Sequence, residues 1–128
     1  MNQPDKNIIE LWIEKANHDL TNVSMILEIN PMILDIACFH CQQAVEKFLK
    51  AFLLFNDQEL IKTHNLDILL KKCGHIEADF LNIDVKNLDD YAVNIRYPEY
   101  IAPELSEAKE YYQIALSVKE LVLKKVKL

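Results

Sequence analysis

The chain has 128 residues, of which 51% are hydrophobic and 27% charged, and this is the size and apolar content of one globular domain. Its single glycine, Gly74, excludes phosphate loops and dinucleotide fingerprints, which need several glycines, and disfavours a fold with many tight hairpins. The net charge of -6, with one arginine among 14 basic residues, excludes the basic footprint of a DNA-binding protein. We therefore predict one all-helical domain over residues 1–128 that does not bind DNA.

The chain contains no segment that predicts membrane insertion or export. Its longest uninterrupted apolar run is short, from Ala51 to Phe55, and the first residues form no hydrophobic signal region. The odd cysteine count, three, is typical of reduced thiols. We expect a cytoplasmic protein with no membrane partner.

The first two helices are predicted by apolar residues that repeat every three or four positions. One helix is expected from about Asp5, its N-cap, to Glu28, and Asn30-Pro31 ends the pattern. A second helix is expected over roughly Met32 to Asn56 with a wide apolar face. Its polar side also carries four large apolar residues: Ile36, Phe39, Leu53 and Leu54. We interpret it as a central helix covered on more than one side, with a second subunit as one candidate cover.

Two short helices and a long last helix complete the predicted fold. Asn65 is expected to begin a helix over Leu66 to Lys72, which Gly74 ends at its C′ position. A fourth helix, capped by Asp84, is expected over Asp84 to Ile95, and a loop with two prolines follows from Arg96 to Pro103. The last helix is expected over Glu104 to about Lys127, with these apolar positions: Leu105, Ala108, Tyr112, Ala115, Val122 and Val126. Together they predict an antiparallel up-down bundle of three long and one or two short helices.

The segment Cys38-Phe39-His40-Cys41 has the residue types of a metal site but not the arrangement. In a helix both thiols lie on the apolar face while His40 points away from it, and no second Cys/His pair follows at ligand spacing. We therefore predict buried structural cysteines, with no metal and no cofactor.

The polar side of the second helix offers one candidate ligand surface. His40, Gln43, Lys47 and Lys50 share a stripe, so their side chains could converge on an anion or a nucleotide base. The alternative is a solvated face with incidental partners. His64 precedes a predicted helix, where Thr63 or Asn65 could cap, and we interpret it as a residue of the capping region rather than a catalyst.

Arg96 is the stronger candidate, because it is the single arginine in a chain with many lysines. This indicates a role that needs a planar guanidinium group, such as holding a phosphate or carboxylate. The alternative is a salt bridge, with four candidate partners: Asp19, Asp89, Asp90 and Glu99. The neighbouring Tyr97 and Tyr100 could stack on a base or pack over the end of the bundle. The Ser, Cys and His residues do not have the spacing of a nucleophilic catalytic site, so no catalytic residue is assigned.

Four segments, taken in order, resemble the HEPN ("higher eukaryote and prokaryote nucleotide-binding") family. They are Trp12-x-x-x-Ala16-x-x-Asp19-Leu20, the run Cys38-Phe39-His40-Cys41-Gln42-Gln43-Ala44-Val45-Glu46-Lys47-Phe48-Leu49-Lys50-Ala51-Phe52-Leu53, then Lys62-Thr63-His64-Asn65-Leu66, and Arg96-Tyr97-Pro98. The resemblance implies an all-α bundle, commonly a homodimer, often encoded beside a minimal nucleotidyltransferase and in many pairs its toxin-like half. Ribonuclease members have an Arg and a later His with about four to six residues between them.

Arg96 matches that Arg, but the positions expected for the His are Ile101, Ala102 and Pro103. The resemblance therefore implies a non-cleaving module that binds a nucleotide or a nucleotidyltransferase partner, with Arg96 and Tyr97 at its site. The alternative is a metal-independent ribonuclease toxin that acts on RNA as a dimer, in which Arg96 is catalytic and His40 or His64 replaces the missing His. A third hypothesis is a purely structural assembly, in which Arg96 forms a salt bridge.

Overall fold

The structure, a computed structural model, describes residues 5–94 and 102–128 and contains no strand in those ranges. Its elements are α1 (Lys6–Ile29), α2 (Leu34–Phe55), α3 (Leu66–Ile76), a 3-10 helix (Ala78–Asn82), α4 (Asp90–Asn94) and α5 (Leu105–Lys125). The predicted all-α bundle of three long helices and shorter ones is confirmed. Within the described ranges, none of the helices combines the length and apolar character needed to cross a membrane.

The α1–α2 hairpin forms as the sequence predicts. The Asp5 carboxylate caps α1 by accepting hydrogen bonds from the backbone N–H groups of Asn7 and Ile8. Four residues, 30–33, separate α1 from α2, a connection short enough to make the two helices antiparallel neighbours. The buried face of α1 repeats at helical spacing and includes Ile9, Ala16, Leu20 and Val23.

Helix α2 is the centre of the bundle, because α1, α3, α4 and α5 all pack against it. Its apolar face is fully buried through Phe48 and Leu49. Leu53, which the sequence assigned to a second contact surface, is only 2% exposed, and Ile36 and Leu54 pack against the same core. The chain's own helices therefore cover much of the side for which a second subunit was a candidate.

Gly74 does not end α3, so that prediction was wrong. The helix continues to Ile76, and Gly74 has an ordinary negative φ inside it. The 3-10 helix folds back so that the Leu81 side chain occupies the space where a Cβ on residue 74 would lie. The same helix, which the sequence did not predict, buries Phe80 against Phe52 with ring centroids 4.5 Å apart. Gly74 is therefore explained by close packing and not by a left-handed turn.

The fourth predicted helix is much shorter than expected. Instead of capping a helix, the Asp84 carboxylate accepts a hydrogen bond from the Lys86 N–H at 2.8 Å, and Lys86 has a φ of 52°. This turn delays α4 until Asp90. The predicted position Ile95 and the loop residues 96–101 lie outside the described residues.

Helix α5 matches its predicted range but not every predicted inward position. Leu105 is 38% exposed and Tyr112 is only partly buried. Tyr111 is buried instead, with its ring 5.5 Å from that of Tyr91 in an edge-on contact. The inward face is thus shifted by one residue at this point, because α5 contacts the segment of α4 there.

The contact between Gly74 and Leu81 can be tested with a mutant cycle. In a Leu81→Ala background, Gly74→Ala should raise the free energy of unfolding by about 1 kcal/mol, because alanine is the better helix former. In the wild-type background the gain should be smaller or reversed, because the new methyl group displaces Leu81. Urea denaturation of the wild type, Gly74→Ala, Leu81→Ala and the double variant measures the gain from Gly74→Ala in each background. Equal gains in the two backgrounds would contradict the packing explanation.

Candidate functional site

Six polar side chains of α2 are buried or partly buried rather than in open solvent. We call them the polar seam, and they are His40, Gln42, Gln43, Glu46, Lys47 and Lys50. Gln42 is 0% exposed, Glu46 4% and Lys50 5%. The expected polar outer face of α2 is thus an internal surface, and its charges need partners within the protein.

Asp19 of α1 supplies the first of these partners. Its carboxylate is 2.8 Å from His40 Nδ1 through one oxygen and 2.6 Å from Lys47 Nζ through the other. The Asp19 side chain is 9% exposed, while those of His40 and Lys47 are about a quarter exposed. This bridge fastens α1 to α2 with charge-assisted hydrogen bonds.

Glu46 is the second buried carboxylate, and it bonds to residues on both sides of it. One oxygen lies 3.1 Å from Lys50 Nζ and the other 2.9 Å from His64 Nδ1. Lys50 Nζ also lies 5.8 Å from the centroid of the Trp12 ring on α1. The buried ammonium of Lys50 is therefore compensated by a carboxylate and an aromatic face.

Gln42 and Asp89 connect the polar seam to the start of α3 and the approach to α4. Gln42 Nε2 donates to the His64 carbonyl at 3.0 Å and to Asp89 Oδ1 at 3.3 Å, while its Oε1 accepts from Gln43 Nε2 at 2.7 Å. The other Asp89 oxygen accepts from the Leu66 N–H at 3.0 Å, which satisfies the first backbone donor of α3. The residue before α4 is therefore fixed to α2 and to the start of α3.

His64 is an exposed ring held by buried groups. Its side chain is 78% exposed, yet Nδ1 bonds to Glu46 and its carbonyl accepts from Gln42. The N-cap of α3 is Asn65, whose Oδ1 accepts from the Ile68 N–H. A carboxylate bonded to Nδ1 orients the ring, and no described residue bonds to Nε2.

The four stripe residues predicted as ligands are brought together, but each has a partner within the chain. His40 and Lys47 bond to Asp19, Lys50 to Glu46, and Gln43 to Gln42. The two other predicted ligands, Arg96 and Tyr97, lie outside the described residues, as does the predicted neighbour Tyr100.

The three cysteines are buried and free, which confirms the prediction of structural thiols. Burial raises the pKa of Cys38 to about 12 and that of Cys73 to about 12, and it also raises the pKa of Cys41. Such thiols are poor nucleophiles near neutral pH because almost none is ionised. Within residues 5–94 and 102–128, no group of His, Cys, Asp and Glu side chains has the arrangement of a metal site.

A cleft of about 260 Å³ opens beside the polar seam, between α1 and α2, and we call it the Trp12 cleft. It is lined by Leu11, Trp12, Lys15 and Lys47. Lys47 reaches it while bonded to Asp19, whereas Lys15 has no ion pair within the described ranges. Sequence reasoning did not single out Lys15, although a spacing of three places it on the same side of α1 as Trp12.

Comparison with known proteins places the chain in a family. The model of the HEPN domain matches residues 9–126. The chain belongs to the HEPN domain family. A crystal structure of an archaeal HEPN homologue superposes with a TM-score of 0.67 at 23% identity, covering 93% of this chain and 98% of that chain. That likeness supports the fold alone, and no curated protein matches the sequence. The family resemblance read from the four segments is confirmed.

Removing the Asp19 carboxylate should destabilise this HEPN domain. Asp19→Asn leaves Lys47 and His40 without their charged partner, and we expect the free energy of unfolding to fall by about 2 kcal/mol. Glu14→Gln on the same helix is the control, because its His18 contact is 3.8 Å long and more than half exposed at both ends. That change should stay within about 0.5 kcal/mol, and equal losses in the two variants would contradict a structural role for Asp19.

Asp89 should make the stability depend on pH in an identifiable direction. Burial raises its pKa, against hydrogen bonds from the Leu66 N–H and Gln42 that lower it. The Asp89 carboxyl therefore binds its proton more tightly in the folded state than in the unfolded state. Its contribution to the free energy of unfolding is most favourable at low pH and is lost as the pH rises above about 4. Relative to Asp89→Asn, the wild-type protein should lose free energy of unfolding between about pH 4 and the raised pKa. Parallel pH profiles for the two proteins would contradict this assignment.

Proposed function

We propose that this HEPN-domain protein is a non-cleaving binding module whose ligand is a nucleotide held in the Trp12 cleft. The observation that carries the proposal is an aromatic ring and an apolar side chain, Trp12 and Leu11, flanked by the ammonium groups of Lys15 and Lys47. A nucleobase stacks on such a ring, and phosphate oxygens accept hydrogen bonds from such ammonium groups.

The charges around the cleft favour a small ligand over a nucleic-acid strand. Asp19 neutralises Lys47, whereas Lys15 has no such partner among the described residues. The cleft thus offers about one uncompensated positive charge, on a chain whose net charge of -6 repels a long polyanion. A nucleoside mono- or diphosphate fits this balance better than RNA.

Arg96 and Tyr97 enter the proposal from the sequence. The planar guanidinium of Arg96 suits a phosphate, and the aromatic ring of Tyr97 suits a base. We also propose, on family resemblance, a homodimer that is the toxin-like half of a pair with a minimal nucleotidyltransferase. Co-purification with the product of the adjacent gene tests that pairing.

Calorimetric titration with nucleoside mono-, di- and triphosphates of each base tests the binding proposal. Lys15→Met and Arg96→Ala should each weaken binding about 5- to 10-fold, and Trp12→Leu by about 10-fold or more, through loss of a charge contact and of stacking. Lys109→Met, an exposed lysine on α5, is the matched control and should leave the affinity unchanged. The proposal is overturned if no nucleotide binds, or if Lys15→Met binds as tightly as Lys109→Met.

One observation favours a second candidate function, cleavage of RNA. The Glu46–His64 pair presents an exposed imidazole oriented by a buried carboxylate, an arrangement suited to taking the proton from a ribose 2′-hydroxyl through Nε2. Of the two histidines considered from the sequence, His40 is less exposed and bonded to Asp19. Incubation with total RNA separates the two candidate functions. Cleavage that both His64→Ala and Arg96→Ala abolish would show a ribonuclease and contradict the non-cleaving binding module, whereas intact RNA would support the binding module.

A further inference from the structure

One side of α1 carries a continuous stripe of exposed residues, which we call the α1 stripe. Its members alternate at spacings of three and four residues, the heptad spacing of a helix that packs against another helix. They are Ile8, Leu11, Lys15, His18, Asn22, Met25 and Ile29. All seven are exposed, and the four apolar members are, in chain order, 47%, 51%, 53% and 75% exposed. Apolar side chains aligned in this way indicate an interaction surface more than scattered exposed residues do.

The order of residue types along the α1 stripe is symmetric about its centre. Two large apolar residues lie at each end, and three polar residues lie between them. When two copies of α1 pack antiparallel, apolar ends meet apolar ends and each lysine meets an amide. The facing pairs are Ile8 with Ile29, Leu11 with Met25, Lys15 with Asn22, and His18 with His18. The surface is therefore complementary to itself, as a two-fold dimer requires.

The polar centre of the α1 stripe favours the antiparallel direction over the parallel one. In a parallel pair, Lys15 would face Lys15 of the partner subunit, and the two ammonium groups would repel each other. In the antiparallel pair, the two lysines are separated along the axis by the seven residues from 15 to 22, about 10 Å. Each ammonium then faces the Asn22 amide oxygen, which accepts hydrogen bonds. Polar residues at heptad core positions fix register in this way.

An apolar groove beside the α1 stripe provides a second wall for the partner helix. Its volume is about 340 Å³, and it lies between the end of α1 and the start of α2. Its lining includes Met25 and Ile29 of the stripe with Ile33 and Ile36 on the α2 side. The antiparallel pairing brings the apolar N-terminal end of the partner's stripe to this groove. Both apolar ends are thereby buried in one contact.

The area of this contact is sufficient for a specific dimer. The stripe runs from residue 8 to residue 29, a rise of about 32 Å, and a strip about 12 Å wide along it covers about 400 Å² on each copy. Two copies thus bury about 800 Å² along α1, and the groove adds area on both sides of the two-fold axis. The total approaches the roughly 1,000 Å² expected of a specific interface.

We propose that two copies of this chain associate through the α1 stripe, with their α1 helices antiparallel. The inference supplies a contact surface for the proposed homodimer, and it is carried by the stripe rather than by family resemblance. Leu11 and Lys15 also line the Trp12 cleft, so Met25 and Asn22 of the partner subunit lie beside that cleft. The partner therefore contributes to the nucleotide site, and in this part alone the inference rests on the proposed function.

Sedimentation equilibrium of the full chain at about 1 to 100 μM tests the surface. The wild type should dimerise in this range. Leu11→Glu and Met25→Lys should each raise the dimer dissociation constant by about 100-fold or more, because each dimer then buries two charges against apolar side chains. Leu123→Glu changes a comparably exposed leucine on α5, 41% exposed, and should leave the dissociation constant unchanged.

Mixing the two variants tests the register. Equimolar Leu11→Glu and Met25→Lys chains should form a heterodimer, because one facing pair is then Glu with Lys and the other is the native Leu with Met. A parallel pairing would bring neither about. His18→Cys should give a disulfide-linked dimer on mild oxidation, because the two residues meet at the two-fold axis. Lys109→Cys on α5 should not, and the three native cysteines are buried.

The outcomes separate this surface from the wider proposals. A dimer that both single variants leave intact would overturn the α1 stripe but not the proposed homodimer, whereas a chain that is monomeric at about 100 μM would contradict both. Variants that dissociate but do not associate with each other in the mixture would overturn the antiparallel pairing. None of these measurements needs a ligand, so they fail separately from nucleotide binding.

Discussion

The fold depends on two buried carboxylates that neutralise the cations of the central helix. Asp19 bonds to His40 and Lys47, and Glu46 bonds to Lys50 and His64. A cation such as Lys50, 5% exposed, is tolerated in a bundle only with such a partner, because an unpaired buried charge costs several kcal/mol. The same bonds join α1, α2 and the start of α3, so electrostatic pairing and helix packing specify one arrangement together.

This pairing also limits what the molecule can bind. Most of the polar groups that suggest a ligand surface in the sequence are occupied by the protein itself. Among the described residues, the groups that remain accessible include Lys15 beside Trp12 and the exposed ring of His64. The cleft at Trp12 offers few polar groups beside apolar surface, which suits a small ligand more than an extended polyanion.

Sequence reasoning predicted the long helices well, because apolar periodicity and end signals such as Asp5 act locally: α1, α2 and α5 begin and end within two residues of their predicted bounds. It failed where a particular contact, and not apolar periodicity, decides the conformation. Gly74 is explained by the packing of Leu81 from the following 3-10 helix, and α4 is shortened by the local turn in which Asp84 bonds to the Lys86 N–H. The burial of the polar seam was also missed, since a helical wheel assigns polar residues to solvent, while their partners Asp19 and His64 lie elsewhere in the sequence.

The central claim, that the polar residues of α2 hold the helices together, is tested most directly by a double-mutant cycle between Asp19 and Lys47. Their side chains are in direct contact across α1 and α2. The free energies of unfolding of the wild type, Asp19→Asn, Lys47→Met and the double variant should give a coupling energy of at least about 1 kcal/mol. Additive losses, within about 0.3 kcal/mol, would show that the bridge contributes nothing and would contradict the account.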